Sequence, residues 1–237
     1  MAVNSNSRTA AEAEDKRIGP YADYLAEGLH TLSFASKGDR TRYRLKIAAA
    51  RALEEVGYQD TKVADICAYA EVALGTFYVY YKDKNEIAIE VVLEFIEHLY
   101  ERARQVGRGR NEFGAILNTN RFFVAAYRAN PGLMQCHVQL QSQLPEFREV
   151  WRPRHLKWIE AIARSITRRG NYRLGRESSA LAVAHALEGM VFNYLYSVIV
   201  THDFLFEEED PSRADDLALM LSTIWFRAVY CKDPTDE

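Results

Sequence analysis

Two short helical patterns separated by a tight break constrain the fold of this chain more than any other feature. They lie between Thr61 and Glu86, in the sequence TKVADICAYAEVALGTFYVYYKDKNE. Apolar residues recur at helical spacing on either side of residues 71–73. Thr61 is predicted to cap the first helix, and Asp65 to lie in its first turn. We interpret the segment as two short helices joined by a tight turn.

The second of these helices carries side chains suited to a phosphate backbone. A run of hydroxyl and ring side chains is followed directly by two lysines: Thr76, Phe77, Tyr78, Val79, Tyr80, Tyr81, Lys82 and Lys84. Phe77 and Tyr81 are predicted to be buried, and Thr76, Tyr78 and Tyr80 to face outward. The i, i+2, i+4 spacing spreads these three over a broad arc, which leaves a structural role open for at least one of them. Hydroxyl groups donate to phosphate oxygens and lysines add positive charge, so a helix of this kind fits duplex DNA.

A basic helix is predicted immediately before this segment, over Arg40–Val56, and Gly57 is suited to end it. The formal net charge of the chain is −3, so bases matter here through their local arrangement and not their sum. The helix carries five of them and no acid before Glu54: Arg40, Arg42, Arg44, Lys46 and Arg51. Such bases also fit a solvated helix face, but their place beside the two short helices favours a clamp on a phosphate backbone.

The rest of the chain favours an all-α fold. Only 12 glycines and 6 prolines occur among 237 residues, and long stretches without them favour helices over a sandwich or barrel. A long helix is predicted to begin at Asp83 or Asn85. We predict a flexible N-terminal extension at 1–38 that can include an extra helix, a helix-turn-helix domain at 39–86, and a larger helical domain at 87–237.

The sequence also argues against several classes of site. Cys67, Cys136 and Cys231 are far apart and form no CxxC spacing, so neither a zinc site nor a disulfide framework is predicted. No P-loop, GxSxG, HExxH or dinucleotide fingerprint occurs. We therefore expect no enzyme, no catalytic residue, no cofactor and no metal. The cysteine usage and the lack of a signal peptide or of about 20 consecutive apolar residues favour a cytoplasmic protein with no membrane partner.

The sequence resembles the TetR family of transcriptional regulators. The matching segments are Ile47–Gly57 (IAAARALEEVG), Thr61–Ile66 (TKVADI) and Val72–Lys84 (VALGTFYVYYKDK). The residues that fit the family pattern in the last segment are Val72, Gly75, Thr76, Phe77, Tyr78, Tyr80, Lys82 and Lys84. The order of elements also fits, with a basic first helix, a helix-turn-helix, a long helix and a larger helical domain.

The resemblance implies roles for individual residues. Thr76, Tyr78 and Lys84 are expected to contact phosphates, and Lys62 to approach the backbone or a base. The residues expected nearest the groove are Leu74, Gly75, Val79 and Tyr80. With the basic helix included, the predicted DNA-binding set is Arg40, Arg42, Lys62, Leu74, Gly75, Thr76, Tyr78, Val79, Tyr80 and Lys84.

Four positions depart from the family pattern. Glu71 stands where a turn glycine is usual, which leaves the turn geometry open. Ala73 replaces the usual Ser or Thr and so removes a helix cap and a phosphate contact. Leu74 and Val79 replace residues that often bear polar groups. Direct hydrogen-bonded readout of bases is therefore expected to be thin, with more left to shape, methyl contacts and the basic arm.

The resemblance also implies a dimer and a ligand pocket in the larger domain. Arg176–His202 and Leu217–Cys231 are expected to form a four-helix interface between two subunits, which presents two recognition helices to a palindrome-like operator. Aromatic and polar candidates for the pocket are Phe122, Phe123, His137, Gln141, Trp151, His155, Trp158, Phe192, Asn193 and Tyr196. Apolar walls with a few polar groups are usual in small-molecule sites, although the same side chains would also serve as core residues.

The functional hypothesis is a ligand-responsive transcriptional regulator, most simply a repressor that binds double-stranded operator DNA as a homodimer. A largely apolar small molecule, with a polar or anionic end, would release it. A set of bases could meet such an anion or form a solvated face: Arg148, Arg152, Arg154 and Lys157. The alternative is a DNA-binding adaptor of the same fold, controlled by a protein partner with no small ligand. The acidic stretch 207–210 could dock such a partner or form a solvated loop.

Overall fold

The computed structural model describes residues 18–108, 111–168, 179–203 and 214–231, and these residues form helices with no strand among them. The helices are α1 (Tyr21–Thr31), α2 (Lys37–Asp60), α3 (Val63–Ala70), α4 (Leu74–Tyr80), α5 (Lys84–Val106), α6 (Glu112–Ala129), α7 (Pro131–Gln143), α8 (Pro145–Arg168), α9 (Ala180–Leu195) and α10 (Ala214–Tyr230). A π-helical turn over Tyr196–Val200 extends α9. The predicted all-α fold class is confirmed.

Helices α2, α3 and α4 pack together with the start of α5, and their buried apolar residues belong to the same core as those of the other helices. Phe77 and Tyr81, which were predicted to be buried, are 0% and 1% exposed. Gly57 interrupts α2, because its φ of 75° and ψ of 173° are not helical and suit only glycine. The regular part of α2 therefore ends at the residue that the sequence predicts.

The start of α3 differs from the sequence prediction. The cap position belongs to Lys62, whose backbone N–H donates to the Asp65 carboxylate over 3.2 Å. The Thr61 hydroxyl instead donates to the Gly57 carbonyl over 2.6 Å, and Thr61 is buried. The prediction that Thr61 caps this helix is wrong, because the interruption at Gly57 leaves a carbonyl that the threonine satisfies.

Helix α1 is a packed part of the molecule. The Tyr21 ring contacts Phe95 of α5 at a centroid distance of 5.2 Å. The Tyr21 backbone N–H donates to Asn130 Oδ1 over 2.6 Å, in a buried position where α6 meets α7. The extra helix allowed for within 1–38 is therefore present, while residues 1–17 of the predicted extension lie outside the described ranges.

The helix-turn-helix unit is fixed to the rest of the chain through α2 and α7. The Glu54 carboxylate accepts the backbone N–H groups of Gly132 and Leu133, each over 2.9 Å, in the first turn of α7. A carboxylate there satisfies two otherwise unpaired donors and complements the positive end of the helix dipole. A Cβ on Gly132 would overlap the Glu54 backbone, so the two helices approach here at backbone distance. The Cys136 thiol adds a bond to the Leu53 carbonyl over 3.5 Å.

Helices α5 to α10 share one continuous apolar core. Helix α5 begins at its cap Asp83, whose carboxylate accepts the Glu86 N–H over 2.9 Å, and it runs from the helix-turn-helix unit into this core. Helix α6 packs along α10, where Asn120 Nδ2 donates to Ser222 Oγ over 2.9 Å in a buried position. Helix α8 packs along α9. The long α5 thus links the two parts of the molecule.

Helix α9 and its extension, Ala180–Val200, are long and apolar enough to cross a membrane by length and composition alone, with a mean hydropathy of 1.3. Core helices of soluble proteins pass the same test. Only 28% of this apolar stretch is buried within the subunit. On α10, Met220 and Ile224 are 39% and 44% exposed. Both helices lie in the segments predicted to form a dimer interface, of which residues 176–178 are outside the described ranges.

Candidate DNA-recognition surface and ligand cavity

The turn between α3 and α4 uses a left-handed residue although no glycine is present. Glu71 has φ 52° and ψ 49°, a conformation that costs a non-glycine residue about 1–2 kcal/mol. Its N–H donates to the Ala68 carbonyl, and the Val72 N–H donates to the Cys67 carbonyl, both over 3.1 Å. These bonds satisfy carbonyls at the end of α3. The turn therefore has the geometry of a glycine turn, held by hydrogen bonds.

One side of α4 is exposed and apolar. Val79 is 75% exposed and Tyr78 is 55% exposed. Leu74 and Gly75, one turn earlier, are exposed on the same side. A Cβ at Gly75 would meet no atom within 4 Å, so nothing inside the described chain requires a glycine there. An apolar helix face with an open, smooth position is suited to close contact with another molecule.

The outward placement predicted for Thr76, Tyr78 and Tyr80 holds fully only for Tyr78. Thr76 and Tyr80 are half-buried, and Tyr80 packs near Gly38 at the start of α2. The reason is geometric, since alternate residues of a helix spread over a broad arc and cannot share one face. Lys62 is exposed at the cap of α3.

Much of the basic face of α2 is paired with acids of α5. Arg42 pairs with Glu90 over 2.6 Å, and Lys46 pairs with Glu94 over 2.8 Å. The Lys46 side chain is largely buried, so its role is structural, whereas half of the Arg42 side chain is exposed. Exposed ion pairs are weak, so Arg42 can exchange its carboxylate for a phosphate. Arg40 is exposed one turn from the start of the helix.

Lys84 connects the end of α2 to the start of α5. Its Nζ donates to the Tyr58 and Gln59 carbonyls over 2.8 and 3.0 Å and lies 4.7 Å from the centre of the Tyr58 ring. These bonds satisfy carbonyls that the helix end leaves unpaired. Lys82 is exposed nearby. The phosphate contact of Lys84 stays a prediction, and it would compete with this structural role.

The larger part of the molecule contains a cavity of about 720 Å³. Its walls include Tyr100 and Trp158, whose rings stack with centroids 4.8 Å apart. The Phe123 ring meets Trp158 edge-on at 6.0 Å. Small-molecule sites typically have roughly 300–1,000 Å³ and mostly apolar walls, so the cavity is of a suitable size and chemistry for a ligand.

The predicted ligand-binding residues divide into two groups around this cavity. Four of them line it: Phe123, His137, Trp158 and Phe192. Six do not: Phe122, Gln141, Trp151, His155, Asn193 and Tyr196. Phe122 belongs to the buried core, while Asn193 is exposed on α9. Residue type and helical spacing locate the helices around the cavity but do not separate the cavity side of a helix from its core side.

His137 is a buried polar group at the cavity and is 2% exposed. Its Nε2 lies 2.6 Å from Gln141 Nε2, and its Nδ1 has no hydrogen-bond partner in the part of the chain that is described. Burial, with a smaller effect of nearby His155, lowers the pKa of His137 to about 3, so the ring is neutral near pH 7. A neutral ring with one unused nitrogen can hydrogen-bond a ligand.

A group of arginines at the cavity was missed by the sequence analysis. Arg104 lies in the last turn of α5, Arg108 lies two residues beyond that helix, and Arg164 and Arg168 lie at the end of α8. All four side chains are exposed. The available signal was a pair of arginines four residues apart in each of two separate segments. The bases that the sequence singled out instead, Arg148, Arg152, Arg154 and Lys157, do not line this cavity, and Arg154 pairs with Glu97.

Two family models match the chain in the order of its two structural parts. The model for bacterial regulatory proteins of the tetR family matches residues 47–91, and the model for the C-terminal domain of the transcriptional regulator EthR matches residues 117–231. The HTH-type transcriptional regulator EthR of Mycolicibacterium smegmatis is 24% identical over 201 residues, which cover 81% of this chain and 88% of the relative. The fatty acid metabolism regulator protein of Bacillus subtilis is 28% identical over 120 residues, which cover 46% of this chain and 62% of the relative.

Solved structures share the fold. Salmonella enterica GusR superposes with a TM-score of 0.63 at 18% identity, over 83% of this chain and 99% of its own. The fatty acid degradation regulator FadR from Bacillus halodurans superposes with a TM-score of 0.59 at 17% identity, over 76% of this chain and 96% of its own. Because the two family models together cover the helix-turn-helix and most of the larger helical part, the chain belongs to the TetR family of DNA-binding transcriptional regulators.

Proposed function

We propose that this protein is a ligand-responsive transcriptional repressor, which binds a palindrome-like operator as a homodimer and is released by a largely apolar small molecule. The observation that carries the proposal is the cavity of about 720 Å³. Helix α7 lines this cavity and is also bound by Glu54 of α2, so the cavity is connected to the helix-turn-helix unit. Protein interiors are normally close-packed, so a cavity of this volume is better explained by a ligand than by a structural need.

DNA recognition in this proposal uses the exposed side of α4. Leu74, Gly75 and Val79 approach the base edges, where apolar side chains can contact thymine methyl groups. The Tyr78 hydroxyl donates to a phosphate oxygen. The flanking contacts to the backbone come from Arg40, Arg42, Lys62, Thr76 and Lys84, while half-buried Tyr80 supports the helix from behind. Sequence preference then rests on methyl contacts and DNA shape more than on hydrogen bonds.

The homodimer of the proposal is formed by α9 and α10. Their outer faces expose apolar residues that include Leu181, Met220 and Ile224. A second copy of the same faces would remove this apolar surface from water, which is the main driving force of association. A two-fold dimer would present its two α4 helices about 34 Å apart, the spacing of one turn of DNA.

Ligand control is favoured over control by a docked protein. The cavity has aromatic walls and the buried polar side chains of Asn120 and His137, a combination that suits a small molecule. The acidic stretch 207–210 of the adaptor alternative lies outside the described residues. Two of the similar proteins are named regulators of fatty acid metabolism and of fatty acid degradation. A long apolar chain is therefore the first class of ligand to test.

The proposed control mechanism acts through α7. Met134 and His137 line the cavity, and Gly132 and Leu133, one turn earlier, are bound by Glu54. A ligand that favours another position of α7 would shift α2 and, with it, α4. The distance between the two recognition helices of a dimer would then no longer fit the operator. The size of this effect is limited by the difference in ligand affinity between the two states.

A two-step experiment tests the proposal. A thermal-shift screen of fatty acids, acyl thioesters, sterols and aromatic compounds comes first. Fluorescence anisotropy then measures affinity for the DNA that flanks the protein's own gene, with and without each stabilising compound. We expect a stabilising compound to weaken operator binding, because it favours the released state.

The cavity itself is tested with a matched pair of variants. Ile162→Trp adds a ring at a position that lines the cavity and should abolish the thermal shift. Leu156→Trp, at an exposed position of the same helix outside the cavity, should preserve it. A stabilising compound that leaves operator affinity unchanged, or a screen with no stabilising compound, would contradict ligand control.

A further inference from the structure

We propose that the cavity is specific for amphiphilic anions, compounds with an apolar chain and one anionic end, and that the anionic end is bound by the arginine mouth, defined as Arg104, Arg108, Arg164 and Arg168. This inference rests on the proposed ligand control and names the chemical class of the ligand.

The cavity has an apolar body and a positively charged end, the same division as an amphiphile. Tyr100, Phe123 and Trp158 form aromatic walls that suit a hydrocarbon chain. The Arg104 guanidinium lies 5.9 Å from the centre of the Trp158 ring, so the aromatic wall leads directly to the first positive group. Guanidinium groups bind carboxylate and phosphate oxygens through paired, charge-assisted hydrogen bonds.

The acids near the arginine mouth do not cancel its charge. Arg104 pairs with Glu101 over 3.1 Å and Arg164 pairs with Glu160 over 3.7 Å, both at exposed positions where such pairs are weak. Arg108 and Arg168 form no ion pair with any residue in the described ranges. The ends of α5 and α8 each add about half a negative charge. Four arginines therefore outweigh two glutamates and two helix ends.

The other end of the cavity disfavours an anion and so sets the orientation of the ligand. Glu188 lines the cavity, and its Oε1 lies 3.4 Å from His155 Nε2. His155 and Arg164 are nine residues apart on α8, which corresponds to roughly 14 Å along the helix. An anionic group near Glu188 would be repelled, whereas the same group at the arginine mouth is attracted. The chain therefore points inward and the anion outward.

Isothermal titration calorimetry with three chain-matched probes tests this inference. The probes are dodecanoate, dodecanoyl-coenzyme A and the neutral dodecanol. We expect at least one anionic probe to bind roughly tenfold more tightly than dodecanol, because only the anion gains charge-assisted bonds. Added NaCl should weaken the anionic probe and leave dodecanol unchanged, since salt screens exposed charges. Tighter binding of dodecanoate would identify a free carboxylate as the anion, and tighter binding of the thioester would identify a phosphorylated carrier.

Variants then assign the anion to the arginine mouth. The double variant Arg108→Gln/Arg168→Gln should weaken the anionic probe by roughly tenfold and leave dodecanol unchanged. Arg152→Gln, an exposed arginine on α8 outside the cavity, is the matched control and should change neither affinity.

Three results would overturn the inference. The first is equal affinity of the wild type for dodecanoate, the thioester and dodecanol. The second is an equal loss of affinity for all probes in the double variant, and the third is no binding of any probe. Tight binding of dodecanol with no advantage for either anion would overturn the anion site and leave the proposed ligand control intact. The absence of binding by all three probes would count against both. If the double variant does not fold, the effect of NaCl on the wild-type affinities for the anionic probes and dodecanol still tests the anion site.

Discussion

Gly75 occupies an exposed position of α4 where the protein itself has no need of a glycine. Replacement by alanine should stabilise the free protein by about 0.5–1 kcal/mol, because alanine is the better helix former. The same change should weaken operator binding by about tenfold, since the added methyl group lies where the helix must approach the groove. Urea denaturation and operator anisotropy measure the two effects.

For Gly75→Ala, a gain in stability together with a loss of operator affinity would support this role of the glycine. A gain in stability with unchanged operator affinity would place the contact surface elsewhere on α4. Binding to unrelated duplex DNA serves as the control, because the phosphate contacts proposed for Arg40 and Lys62 do not depend on this position.

Two histidines, buried His137 and half-buried His98, should make the stability of the protein fall as the pH is lowered. Burial lowers the pKa of His137 to about 3, and burial with nearby Arg102 lowers the pKa of His98 to about 4. Below an unfolded pKa of about 6.5, the unfolded chain binds protons that the folded chain excludes, so unfolding is favoured. The free energy of unfolding should therefore fall between about pH 7 and pH 5, by up to about 1.4 kcal/mol per pH unit for His137 and by less for His98, whose partial exposure screens the effect.

His137→Gln isolates one of these two contributions. The variant should lose less stability than the wild type between about pH 7 and pH 5, a range above the titration of ordinary carboxyl groups. Urea denaturation at several pH values gives the comparison, with His30→Gln on the exposed side of α1 as the control. Identical pH slopes for the wild type and His137→Gln would show that the folded ring takes up a proton.

For individual residues, the sequence predicted burial better than backbone conformation. Phe77 and Tyr81 are buried as expected because their apolar rings follow helical spacing. Glu71 adopts the left-handed conformation of the glycine that it replaces, which no propensity rule would assign to glutamate. Thr61 bonds backward to Gly57 because of an interruption that becomes visible only when the dihedral angles are known.

The contact of α2 with α7 is the element on which the proposed control depends. Glu54→Gln replaces one acceptor oxygen by an amide donor, so one N–H group of Gly132 or Leu133 loses its partner. The free energy of unfolding should fall by about 1–3 kcal/mol, the usual cost of an unsatisfied buried donor. Hydrogen exchange of the first turn of α7 should become faster. Glu55→Gln, at the next residue of α2, is the matched control.

Equal changes in unfolding free energy and hydrogen exchange for Glu54→Gln and Glu55→Gln would show that Glu54 does not specifically hold α7. The measurement separates a specific bond to α7 from a general loss of negative charge on α2, because Glu55 is exposed and bonds to Tyr69 within the helix-turn-helix unit.

For the helices, the sequence predicted their positions in the chain but not the contacts between them. The contact between Glu54 and Gly132 joins residues far apart in the chain, so no local pattern shows it. The resemblance implied a ligand pocket, but the α5 wall of the cavity was not predicted, since Leu99, Tyr100 and Ala103 have the spacing of an ordinary core stripe. A stripe that lines a cavity has the same spacing as one that packs against a neighbour.

For the whole molecule, the exposed apolar faces of α9 and α10 predict a dimer. Met220→Glu/Ile224→Glu should give a soluble monomer, because two buried charges on each side would disfavour a two-fold interface. Operator affinity should fall to the level of unrelated DNA, since one recognition helix makes half of the contacts. Analytical ultracentrifugation gives the mass, with Leu156→Glu, at an exposed leucine of α8, as the control.

The order of the helices and the DNA-binding motif follow from local patterns, so the overall architecture was predictable from the sequence. The placement of α1 between α5 and the corner at Asn130 was not predictable from the sequence. Tyr21 bonds to Asn130, which lies more than a hundred residues later in the chain. The arginine mouth likewise appears only when the ends of α5 and α8 are brought together by the fold.

If the two α4 helices of one dimer bind a palindrome-like operator together, its affinity must depend on the spacing of the half-sites. Insertion of roughly five base pairs, half a turn of DNA, turns the second half-site to the opposite face of the duplex. We expect one dimer bound to the original operator and binding reduced to the level of unrelated DNA after the insertion. Equal affinity for both duplexes, or tight binding of a single subunit to one half-site, would contradict it.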